Sequence, residues 1–169
     1  MHKKHKWMIG IIFLSIYSIS LIFSLELPNF SDILTVLSIN LGFYLTALSV
    51  IYKSNFSQKL AQEIDKERKH NSKLKVLTNY FSFSVKNVIL DILSILFFQI
   101  IDEKTVELLE MQKYGSGNEL TEKILFILSA CQKFLSPLIL ALTVINFLLV
   151  FLIFRIFLNS FILEARSGE

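Results

Sequence analysis

The sequence predicts an all-α, polytopic membrane protein, with four transmembrane helices and a cytoplasmic helical stalk between the second and third. Three observations carry that expectation. Of the 169 residues, 53% are hydrophobic and only 18% charged, where soluble domains carry about 25% charge. Four separate stretches are long enough to cross a bilayer core of ~30 Å, which takes roughly 20 mostly apolar helical residues. Lysine and arginine crowd into alternate connections, as expected when basic loops stay on the cytoplasmic side.

The first span is expected over about 7–25, the second over 33–52, the third over 80–101 and the fourth over 137–158. They form one domain covering 1–169, with no stretch left over for a globular catalytic core. The basic opening, with Lys3, Lys4 and Lys6, resembles the n-region of a signal peptide. The apolar run behind it is longer than a usual signal core, and no small-x-small site follows, so an uncleaved signal anchor is expected.

Charge sets the expected orientation. Lys53, Lys59, Lys66, Arg68, Lys69, Lys73 and Lys75 lie between the second and third spans, while 26–32 has no Lys or Arg. From Asp102 to Lys123 there are six acids and three lysines. Both termini are therefore expected in the cytoplasm, with Arg155 and Arg166 in agreement. The net charge of +3 is small, and no basic stripe interleaved with aromatics marks a nucleic-acid surface, so no direct nucleic-acid binding is expected.

The connection over 53–79 holds no Gly or Pro, and Phe56, Leu60 and Ile64 recur every four residues among charged neighbours. This pattern predicts a helix with a narrow apolar stripe, either a solvated hairpin or a docking surface for a soluble cytoplasmic partner. Between 102 and 136 an external loop is expected to turn at Gly115-Ser-Gly-Asn118 and continue as an interfacial helix. Ser136-Pro137 offers a start signal for the fourth span; one long helix kinked at Pro137 is the alternative.

Asp91 is the most informative residue, because a carboxylate near the middle of a span costs several kcal/mol unless paired, hydrated or protonated. At 100° per residue, Ser84, Asn87, Asp91 and Ser94 fall within about 80° of arc, a stripe that should face protein or water. Asn40 in the second span, and Thr143 and Asn146 in the fourth, lie at comparable depth. An intramembrane polar layer of Asn40, Asn87, Asp91, Thr143 and Asn146 is expected, either packing the helices or lining an ion or proton path. Ser38, Gly42, Thr46 and Ser49 form a small-residue face on the second span, suited to close helix packing inside the protomer or between copies.

His2, His5 and His70 have no carboxylate or cysteine at ligand spacing and read as solvated residues, and Cys131 is the single cysteine, so no metal site or internal disulfide is expected. No nucleophile elbow, zinc-protease, phosphate-loop or dinucleotide fingerprint occurs. An enzyme is not expected, and no cofactor.

The run Leu41-Gly-Phe-Tyr-Leu-Thr-Ala-Leu-Ser-Val-Ile51 ahead of a basic stalk, with Tyr80-Phe-Ser-Phe-Ser84 entering the third span, resembles the membrane subunit of the Kiwa antiphage defence system. That resemblance covers nearly the whole chain in architecture and assigns no residue a role. It implies an oligomeric sensor in the bacterial inner membrane that recruits a soluble effector acting on phage DNA. The expected function is thus an inner-membrane scaffold or sensor that forms a homo-oligomer among membrane lipids and engages a soluble cytoplasmic protein. A pore-forming effector or ion channel with a polar path around Asp91 is the alternative.

Overall fold

The computed structural model describes residues 3–25, 29–53, 55–62, 72–114 and 119–167, except for the side chains of residues 3, 50, 53, 55, 56, 59 and 159–167. Every described element is an α-helix: α1 (Lys3–Phe23), α2 (Phe30–Lys53), α3 (Asn55–Gln62), α4 (Lys73–Lys113) and α5 (Glu119–Ser167). α1, α2, α4 and α5 are each long and apolar enough to cross a membrane. At about 1.5 Å per residue, α4 and α5 exceed 60 Å, twice the thickness of a bilayer core.

The helix ends explain where the sequence boundaries move. α1 closes with Ser24 in the left-handed region, φ 46°, and the Leu25 N–H donating to the Ser20 carbonyl at 3.2 Å. This is the turn that glycine usually makes, and a serine there costs about 1 kcal/mol. Ser72 caps α4, its hydroxyl accepting from the Lys75 N–H at 3.3 Å, which satisfies a backbone donor that has no intrahelical partner. The cap starts α4 at Lys73, so residues 73–79 belong to the third long helix rather than to a separate stalk.

At the other end α4 runs without a break past Ile101 to Lys113, and α5 already begins at Glu119. The expected loop and interfacial helix over 102–136 are therefore the end of α4 and the start of α5, and the turn at 115–118 lies outside the described residues. Gln132 Nε2 donates to Asp102 Oδ1 at 2.9 Å, tying the two extensions together. Glu107 accepts from Lys104 at 2.6 Å, an exposed pair one helical turn long. Pro137 sits inside α5 instead of starting a span. Lacking an N–H, it frees only the Lys133 carbonyl, a single bond lost from a 49-residue helix.

α5 is the central helix, packing against α4 along most of their shared length and also against α1 and α2. The common core holds Leu37, Tyr44, Val88, Ile95, Ile145 and Leu149. Towards the start of α4, Tyr44 meets Phe81 edge to face at 6.1 Å, and Phe81 meets Phe157 in the same way at 6.2 Å. Here His5 shares a hydrogen bond with the Tyr80 hydroxyl across 75 positions of sequence. His5 is thus a half-buried tie between α1 and α4, not a solvated residue, because α1 lays its first turn beside the aromatic cluster.

α3 lies against the beginning of α4. Leu60, expected on a partner-facing stripe, is 5% exposed and shares the chain's own core with Val76 and Leu77. A side chain buried this way stabilises the fold by transfer out of water. Leu60→Ser is expected to cost about 2 kcal/mol or more and to free α3, seen as faster proteolysis between α2 and α4 with the long helices intact. The Phe56 side chain and Ile64 lie outside the described residues, as do His2 and His70.

Candidate functional site

The polar layer is built by two helices that each place a polar pair on one face. Asn87 and Asp91 are four residues apart on α4, and Thr143 and Asn146 three apart on α5, spacings that bring side chains one above the other. α4 and α5 pack closely, so the two pairs meet. Asn146 Nδ2 donates to Asp91 Oδ2 at 2.9 Å, and Thr143 Oγ1 donates to the same oxygen at 3.0 Å. Asn87 Nδ2 donates to Asn146 Oδ1 at 2.8 Å and to the Leu142 carbonyl at 3.4 Å. The amide of Asn146 is therefore fixed in one sense, accepting from Asn87 on one side and donating to Asp91 on the other.

Asp91 and Asn146 are fully buried, and Thr143 is buried as well. No described cation pairs with Asp91, whose Oδ1 has no hydrogen-bond partner. Four of the five residues expected in the layer are thus joined in one chain of bonds. Asn40 is the exception. It is buried on the inward face of α2, but its Nδ2 has no hydrogen-bond partner.

Two further groups complete the cluster. Tyr44 is fully buried one turn from Asn40 and donates its hydroxyl to the Asn146 carbonyl at 3.4 Å, which ties α2 to the α4–α5 pair. Its i,i+4 spacing from Asn40 is the sequence signal that points to it. Ser84 and Ser94 lie on the expected stripe and are buried, yet each hydroxyl donates to its own helix, to the Tyr80 and Leu90 carbonyls at 2.9 and 2.8 Å. Both hydroxyls are satisfied against their own helix, and Ser84 also shares a side-chain hydrogen bond with Tyr44, a further tie between α2 and α4.

The expected small-residue face stands apart from this cluster. Ile33, Leu37, Asn40, Tyr44 and Ile51 turn α2 inward, whereas Ser38, Gly42, Thr46 and Ser49 are exposed. Ser38 donates to the Leu34 carbonyl at 2.8 Å, which hides its polar group against its own helix. A Cβ placed on Gly42 meets nothing within 4 Å. This face of α2 is open along about three turns and lies away from the core of the protomer.

Among the described residues, no group of three or more histidine, cysteine or acidic side chains is arranged to hold a metal ion. Fold and site together define a chain whose described residues form four membrane-length helices, with a polar cluster enclosed between α2, α4 and α5. Comparison with family models, with curated proteins and with solved structures gave no match.

Proposed function

We propose that this chain is a scaffold subunit of the bacterial inner membrane, and that copies of it associate through the small-residue face of α2. The observation that carries the reading is the division between the two polar features. The hydrogen-bonded polar groups of Asn87, Asp91, Thr143 and Asn146 are spent inside a single protomer, while Ser38, Gly42, Thr46 and Ser49 lie open on its surface. In lipid, close backbone approach and hydrogen bonds drive helix association, since lipid tails are as apolar as leucine. The inward layer suits holding the spans of one copy together, and the open face suits another helix.

The same division weighs against a pore. A conduction path shared by several copies needs its acid on a common axis, whereas Asp91 is enclosed by its own chain. Under this reading Asp91→Asn leaves activity in cells intact, because the asparagine carbonyl accepts from both Thr143 and Asn146. Loss of activity with an intact oligomer would instead favour a proton or cation path.

Both ends are placed in the cytoplasm by the lysines flanking the spans. Reporter fusions at Lys6, Lys66 and Gly168 are expected to register as cytoplasmic, and one at Gly115 as external; an external signal at Lys66 overturns the assignment. A soluble partner is proposed at the basic connection between α3 and α4, consistent with the Kiwa resemblance. Since Leu60 is occupied within the fold, charge is the recognition element proposed there. Replacing Lys66, Arg68 and Lys69 together by glutamate is expected to abolish co-purification of that partner, with membrane insertion unchanged.

A further inference from the structure

At the end of the helices remote from His5 and Tyr80, α1, α2, α4 and α5 border an open cavity of about 440 Å³, whose lining includes Ser20, Ser24, Asp102, Gln132, Lys133 and Ser136. Ser20 is 1% exposed, and its hydroxyl has no hydrogen-bond partner. Elsewhere in this chain helical serines donate back to the carbonyl four residues earlier, as Ser38, Ser84 and Ser94 do. Ser20 borders the cavity with its hydroxyl buried and unpartnered, so a ligand atom that reaches in here would satisfy it. Ser24, held in the left-handed region, lines the same cavity, and such strained positions cluster at binding sites.

The lining carries both signs of charge. Lys133 supplies a cation, while the N-terminus of α2 beside Phe30 is already capped by Asn29 and faced by Asp32 in its first turn. Asp102 supplies an anion, and α1 ends here with its partial negative charge. Pro137, also in the lining, frees the Lys133 carbonyl as an acceptor. A site of hydroxyls with one cation and one anion matches a ligand that is itself a zwitterion.

The course of α1 adds a second property of that ligand. Phe13, Tyr17 and Ser20 recur at i, i+4 and i+7, one face of α1, and Ser24 follows at the turn that closes the helix. The two aromatics line an apolar groove of about 620 Å³ that is shared with Phe97 and Leu138, and the two serines line the polar cavity. One stripe of α1 thus passes from an apolar groove to a polar cavity, as an amphiphile would require. We propose that the cavity binds the phosphoethanolamine headgroup of a phospholipid, with its phosphate at Lys133 and Ser20, its ammonium at Asp102, and an acyl chain along the groove.

The test is native mass spectrometry of the detergent-purified full chain. Phosphatidylethanolamine and phosphatidylglycerol of matched chains are titrated separately, and water-soluble phosphoethanolamine serves as competitor. Phosphatidylethanolamine is expected to be retained at about tenfold lower concentration than phosphatidylglycerol, and Lys133→Gln is expected to weaken its retention about tenfold. Lys133 is exposed, so the variant should keep its melting temperature, and Ser20→Ala provides a second, milder reduction. Equal retention of the two lipids, or unchanged retention in Lys133→Gln, overturns the proposal. So does displacement by free phosphoethanolamine at the lipid's own concentration, which makes the occupant a soluble zwitterion. Binding is read per protomer, and so its failure is separable from failure of self-association.

Discussion

Asp91→Leu is expected to destabilise the protomer by about 2 to 4 kcal/mol, the largest effect of any single change in the polar layer. The leucine removes the one acceptor shared by Asn146 Nδ2 and Thr143 Oγ1. Thr143 can turn its hydroxyl to its own helix, as threonines do, but the Asn146 amide is fully buried and keeps an unpaired donor. Asp91→Asn should cost about 1 kcal/mol or less, since its carbonyl can accept both bonds. The double variant Asp91→Leu with Asn146→Leu should recover part of the loss, because removing both partners leaves fewer buried groups unmatched. Melting of the detergent-purified protein, followed by size exclusion after heating, reads all three. A leucine variant as stable as the parent would show that the layer does not hold the protomer together.

Gly42→Leu is expected to have the opposite profile, with protomer melting unchanged and self-association weakened about tenfold or more. Nothing lies within 4 Å of the position a Cβ would occupy, so the longer side chain strains no contact inside the chain. Between copies it would hold two helices apart and remove the backbone approach that small residues permit. Energy transfer between labelled copies in liposomes, measured over a range of protein-to-lipid ratios, reports the shift. An unchanged association curve would move the contact to another face.

The four long helices are legible in the sequence because each is an uninterrupted apolar run, and Asp91 is legible because a carboxylate in such a run needs a reason. That Asn87, Asp91, Thr143 and Asn146 lie at one depth is legible too, whereas their pairing across α4 and α5 comes from the fold. Boundaries are less legible. α4 begins at Ser72–Lys73 and continues to Lys113 because helix persists through polar flanks when a cap or a neighbouring helix supports it, and apolar character marks only its middle. Ser136-Pro137 carries the same residues as a helix start, yet α5 passes through it, held on both sides by packing and by the Gln132–Asp102 bond.

Which neighbour a face meets is the least legible feature. A stripe of apolar residues at every fourth position reads alike whether it will meet another protein or the chain's own next helix, and Leu60 meets the latter. On α2 both faces carry polar or small residues, and only the fold distinguishes the covered face of Asn40 and Tyr44 from the open face of Ser38 and Gly42. Tyr44 itself is easily taken for part of an apolar run, although its hydroxyl joins α2 to the polar layer.

The central claim, that the polar layer serves the protomer while the α2 face serves the assembly, is tested most directly by cysteine crosslinking in native membranes. In a Cys131→Ser background, single replacements Ser38→Cys, Gly42→Cys and Thr46→Cys sample three successive turns of the open face. Leu90→Cys and Phe154→Cys sample exposed positions on α4 and α5. Mild oxidation should give dimer-sized products at all three α2 positions and little at Leu90 or Phe154. Products confined to Leu90 or Phe154, or absent from every position, would contradict the account.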